Sequence, residues 1–152
     1  MKTLPLPLLF IAIALTFTAC SSFERDWRKA VADYEAGGVE APNGPWSGTW
    51  TTTSNGHSGD LRAIVTPDGT SDGDYKFRYH ATWLGGFSGT FPVTYPVTRS
   101  GSRWKVTGEE NLGIFGSFRH DGTITKNRFD ATYSDDQGAV GEFKMTRPSS
   151  GD

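Results

Sequence analysis

The chain of 152 residues is 36% hydrophobic, 13% aromatic and 21% charged, with 19 glycines, 8 prolines and one cysteine. That is one domain of sequence, too rich in rings for a disordered chain and too rich in glycine for a long helical bundle. Lys and Arg number 15 against 17 Asp and Glu, a net charge of -2, so the chain carries neither a basic footprint for nucleic acid nor an acidic tail.

Residues 1–19 read as an export signal. Lys2 supplies the positive start, Leu4 to Thr18 is almost wholly apolar, and the small Ala19 precedes Cys20. The run is short for a bilayer span. Phe17-Thr18-Ala19-Cys20 resembles the lipobox of bacterial lipoproteins, in which the cysteine becomes the lipidated first residue. The alternative is an ordinary secretory signal with an incidental cysteine. Cys20 is the single cysteine, so no intrachain disulfide forms, and the several acyl chains of the family imply a stable membrane anchor. Ser21 follows where lipoproteins retained at the inner membrane carry aspartate, so the resemblance implies the outer membrane, facing the periplasm.

Residues 20–45 are expected to hold the lipidated cysteine, one short amphipathic helix and a linker. Ser21-Ser22-Phe23-Glu24 has capping-box spacing, and Phe23, Trp27, Val31 and Tyr34 recur at helical intervals until Gly37-Gly38. The stripe is expected to dock on the chain's own domain and close one end of it; lying on a membrane surface is the second reading. Residues 37–45 are rich in Gly, Pro and Asn and read as linker.

From Trp46 the period changes to strict alternation with a turn signal every ten or so residues. Eight strands are expected near 46–53, 60–66, 74–83, 87–99, 102–110, 114–125, 128–134 and 139–147, in a barrel domain over 46–148 with a tail at 149–152. A buried face fixes register by parity. A three-residue Leu84-Gly85-Gly86 loop pairs Trp83 with Phe87 and Tyr79 with Phe91. A Ser100-Gly101 turn places Val97 beside Trp104 and Tyr95 beside Val106. An Asn111-Leu112-Gly113 loop pairs Val106 with Phe118 and Trp104 with His120. The next turn is read at Lys126-Asn127, with Asp121-Gly122 as the alternative. The fold expected is all-β: an eight-stranded antiparallel up-and-down meander barrel preceded by one short helix, closed so that no edge is exposed. Loops at 54–59, 84–86, 111–113 and 135–138 then share one end. Pro92 and Pro96 lie four apart in the fourth strand, so both missing N-H groups face one neighbour and weaken that seam; whether the third or the fifth strand borders it stays open.

Within Trp46-Ser47-Gly48-Thr49-Trp50 the first strand resembles the Gly-x-Trp opening of lipocalins, and Arg147 stands where their last strand offers an arginine to cover that tryptophan. Gly48-Thr49-Trp50 and Gly89-Thr90-Phe91 also resemble the strand openings of avidin-like barrels. The resemblance implies a calycin-like barrel over about two thirds of the chain and carries no function with it.

His57, His80 and His120 lack metal-site spacing, so no metal is expected. His57-Ser58-Gly59-Asp60 sets hydrolase residue types side by side, without the convergence in space that a triad needs, and no phosphate-cradling glycine loop opens a helix; neither an enzyme nor a cofactor is expected. His80 falls on the outward face and reads as solvated. His120 falls on the inward face, where an imidazole needs a partner. Twelve rings share inward parity, among them Tyr75, Phe77, Phe87 and Phe129. Two functions follow. In the first, a lipid-anchored barrel binds a small apolar or aromatic molecule, with Trp104, Tyr79, Phe91, Tyr95 and Phe118 as walls and His120 as polar handle. In the alternative, an envelope inhibitor or scaffold with a filled core acts through its loops; a dry connected space well above about 300 Å³ favours the first and scattered voids favour the second.

Overall fold

The computed structural model describes residues 22–83, 85–111 and 116–149; the expected export signal, Cys20, Ser21, Leu84, residues 112–115 and residues 150–152 lie outside the described residues. One helix, α1, covers 22–35. Eight strands follow: β1 (Gly44–Thr52), β2 (Ser58–Pro67), β3 (Asp74–Trp83), β4 (Phe87–Ser100), β5 (Arg103–Asn111), β6 (Ser117–Ile124), β7 (Arg128–Asp135) and β8 (Val140–Thr146). Each pairs antiparallel with the next, and β1 pairs with β8 from Ser47–Thr146 to Thr52–Gly141, closing the barrel in up-and-down order. Closure gives every strand two neighbours, which covers the strand edges except where the β4–β5 ladder is short, from Ser100–Arg103 to Val97–Val106.

The β3–β4 hairpin has the expected register, with Trp83 opposite Phe87, Tyr79 opposite Phe91 and Phe77 opposite Val93. Thr125 and Arg128 bracket the Lys126-Asn127 turn, which leaves Asp121 and Gly122 inside β6. Two hairpins differ from expectation. Val97 pairs with Val106 and Arg99 with Trp104, because Gly101, at φ +61°, takes the first central position of the turn and Ser102 the second; a left-handed backbone there suits glycine and not Ser100. Between β5 and β6, Val106 faces Gly122, Gly108 faces His120 and Trp104 faces Ile124. Asn111 pairs with Ser117, so more than three residues separate the two strands, and Val106 and His120 each meet a glycine. Both differences are even-numbered, so every side chain keeps its face.

Packing concentrates at one end. Trp46, Val65, Phe77, Val106, Ile124, Phe129 and Met145 are fully buried there, with the Trp46 and Phe129 rings edge to face at 5.9 Å. Arg147 seals this end: its guanidinium lies 3.7 Å from the Trp46 ring centre, Tyr34 of α1 lies 4.9 Å from the same guanidinium, and Nη1 donates to the Pro45 carbonyl at 3.0 Å. The tryptophan covered is thus Trp46, not Trp50.

α1 docks against the outer wall of β2 and β3 and does not close the barrel end. Phe23 and Trp27 are buried and lie against outward-facing side chains. The Phe23 ring stacks on His80 at 4.7 Å, and Arg62 lies 5.2 Å from the Phe23 and Trp27 ring centres. Glu24 pairs with Arg62 and Asp26 with Arg78 at 2.6 Å. The half-exposed ion pairs orient the helix and add little free energy; burial of the two rings, at most about 1.5–3 kcal/mol each, holds it. His80, expected in solvent, is only 5% exposed because the helix covers it, and its Nδ1 lies 3.0 Å from Thr90 Oγ1. Burial, then Arg62, lowers the His80 pKa against the pull of Glu24.

Candidate functional site

The end opposite the Trp46 cluster is hollow. A cavity of about 300 Å³ opens at the end where β1, β3 and β7 finish, with Thr52, Trp83 and Asp135 in its lining. Its walls are the inward residues nearest that end: Trp50 and Thr52 of β1, Leu61 of β2, Tyr79, Ala81 and Trp83 of β3, Phe91, Val93 and Tyr95 of β4, Phe118 and His120 of β6, Tyr133 of β7 and Phe143 of β8. Alternation alone aims these side chains inward, because each strand enters or leaves the open end on the same parity as its core residues.

Five of the six side chains expected to bind ligand meet in this cavity: His120, Tyr79, Phe91, Tyr95 and Phe118. Trp104 does not. It faces Ile124 near the closed end, with the Arg99 guanidinium 5.3 Å from its ring centre. The four-residue difference in the β5–β6 register carries it away from His120. Phe87, counted among the inward rings, is 64% exposed, since it begins β4 at the rim. Trp50, Leu61, Tyr133 and Phe143 were not singled out as ligand-binding residues. Trp50 shares parity with Trp46 four residues earlier, so the alternation of β1 was the available signal. Its indole N-H reaches over β2 to the Thr82 carbonyl at 2.8 Å, which fixes the ring as wall.

His120 lies at the centre of a ring of aromatics: Tyr95 at 5.2 Å, Phe143 at 5.6 Å, Tyr79 at 6.1 Å and Phe129 at 6.2 Å between ring centres. The imidazole is 4% exposed. Burial drives its pKa down to about 4, with Asp121 pulling weakly the other way, so the ring is neutral at physiological pH. Among the described residues, neither ring nitrogen has a hydrogen-bond partner, and neither does the buried Tyr79 hydroxyl. A buried polar atom left unpaired costs about 1–3 kcal/mol, which sets these three atoms apart from the rest of the lining. Tyr133 by contrast shares a 2.6 Å hydrogen bond with Thr52 Oγ1. Burial also raises the Tyr79 pKa, with Tyr95 adding to it, and raises that of Tyr95 to about 12, with Glu110 adding to it. Chemically the cavity offers apolar contact, ring stacking, and two buried polar groups, the His120 imidazole and the Tyr79 hydroxyl, each able to donate and to accept.

Among the described residues, no three His, Cys, Asp or Glu side chains gather as metal ligands. No family model matches the sequence, and no curated protein matches it. Among solved structures the chain is similar to a de novo designed fluorescence-activating β-barrel, at 13% identity and a TM-score of 0.48, over 72% of this chain and 99% of that one.

Proposed function

We propose that this protein is an outer-membrane lipoprotein, anchored through Cys20 and facing the periplasm, whose calycin-like barrel holds one small apolar or aromatic molecule and catalyses no reaction. The observation that carries the reading is the connected apolar lining of the cavity at one end; its volume of about 300 Å³ stands at the lower bound of about 300 Å³ for small-molecule sites and not well above it, so the lining and not the volume favours a ligand. A filled barrel acting through its loops predicts scattered voids instead. The arginine cover of Trp46 supports kinship with calycins, and the lipobox-like Phe17-Thr18-Ala19-Cys20 supports the anchor.

Native mass spectrometry of the protein extracted from its own cells tests both halves. The expected spectrum shows a chain beginning at Cys20 and carrying acyl chains, plus a small molecule that leaves on denaturation; Cys20→Ser removes the acyl mass and leaves the small molecule in place. A wild-type chain without acyl mass overturns the anchor. A chain with no co-purifying molecule, together with no affinity for small aromatic compounds, overturns the binding role.

A further inference from the structure

Resting on that binding role, we infer that the ligand is an uncharged ring compound bearing one hydroxyl, a phenol or a ring alcohol, seated with its hydroxyl against His120 and Tyr79 and its apolar body toward the mouth. The inference starts from three buried atoms without partners, His120 Nδ1 and Nε2 and Tyr79 Oη, on two side chains that line the same cavity. A neutral imidazole presents one N-H donor and one acceptor nitrogen, and a tyrosine hydroxyl presents one of each. A ligand hydroxyl answers two of the three atoms, one on each side chain, and because it donates while accepting it can serve the acceptor nitrogen of the imidazole. A carbonyl or ether meets only the donors, and a hydrocarbon meets none.

Charge is excluded by the surroundings. Asp135 is the one charged side chain among the described lining residues, and its Oδ1 accepts from the backbone N-H groups of Gln137 and Ala139 at 2.9 and 2.7 Å. A carboxylate ligand finds no cation at the polar end, and an ammonium finds no carboxylate there; either loses its hydration without replacement. Phe143, Tyr95, Phe91 and Phe118 flank the space through which the body of the molecule extends, and their faces suit a flat ring.

Calorimetric titration of the folded chain with 2-naphthol, naphthalene and 2-naphthoate tests the inference. The expected order is 2-naphthol at least tenfold tighter than either of the others. Tyr79→Phe, which keeps the ring and removes only the hydroxyl, and His120→Phe each narrow that preference to within about threefold. Naphthalene equal to or tighter than 2-naphthol overturns the hydroxyl inference while the apolar-cavity reading stands, because the polar atoms are then served by water. Tightest binding of the naphthoate overturns the neutral-ligand inference alone. Failure of all three to bind at millimolar concentration removes the binding role and the inference together.

Discussion

His120 ties the cavity to pH. In the unfolded chain its imidazole titrates near the ordinary 6.5, and in the barrel burial lowers it to about 4. Between those values the unfolded state binds the extra proton, so stability is complete above about pH 6.5 and is lost as pH falls toward 4. From pH 7.5 to 4.5 that amounts to about 2–3 kcal/mol, or roughly 5–12 °C in melting temperature for a chain of this size. The groups packed around the imidazole are Tyr79, Tyr95, Phe129 and Phe143, with Asp121 next along β6. The tyrosines stay neutral across this range, and Asp121 only moderates the shift. His80 is shifted in the same direction, so the wild-type slope is shared, and the difference between wild type and His120→Phe isolates the buried residue. Thermal melts at the two pH values should show the variant losing several degrees less than the wild type. Equal losses would mean that His120 does not reach the depth described.

At the scale of elements, the prolines of β4 mark a seam whose direction the structure settles. Val97 N-H donates to the Gly73 carbonyl at 2.9 Å, on the β3 side. Backbone N-H groups alternate along a strand, so the nitrogens of Pro96 and Pro92 face β5, where neither offers a donor. β3 pairs with β4 without a break from Trp83–Phe87 to Asp74–Pro96. The β4–β5 ladder, by contrast, runs only from Ser100–Arg103 to Val97–Val106. Beyond it the Tyr95 ring lies directly over Gly108, where any Cβ would collide with it. Hydrogen exchange should therefore be at least tenfold faster for the β5 amides between Thr107 and Asn111 that point toward β4 than for the β3 amides that point toward β4. Equal protection on the two sides of β4 would count against an open seam. The same elements show what alternation makes legible. Parity fixes which face a residue takes, so the inward positions of His120, Tyr79 and Phe118 follow from β3 and β6 alone. It does not fix which residue lies opposite, because register depends on loop length. Where a loop's length is ambiguous, as after Asn111, partners are lost while faces are kept, and Trp104 was placed beside His120 for that reason. The docking of α1 is half legible: the stripe of Phe23 and Trp27 announces burial, but His80 reads as solvated because nothing in the strand pattern shows that a helix lies across it.

The whole barrel divides its labour along its axis. At the closed end Trp46, Phe77, Ile124, Phe129 and Met145 pack with almost no exposure, so a deletion there leaves a void that the surrounding closed sheet resists filling. At the open end Phe91 is only partly buried and borders space that is already empty, so its removal loses contact area without creating a sealed hole. Phe129→Ala should cost about 3–5 kcal/mol, close to 10 °C in melting temperature by the usual proportion for a chain of this size. Phe91→Ala should cost about 1 kcal/mol and a few degrees. Binding should respond in the opposite order: 2-naphthol affinity falls several-fold in Phe91→Ala, which removes a wall of the cavity, and changes little in Phe129→Ala at temperatures where that variant is folded. Melting curves and titrations on the same two proteins decide the matter. A larger stability loss at Phe91 than at Phe129 would mean that the open end contributes to the packed core, and a cavity kept hollow by a rigid opposite end would no longer describe this barrel.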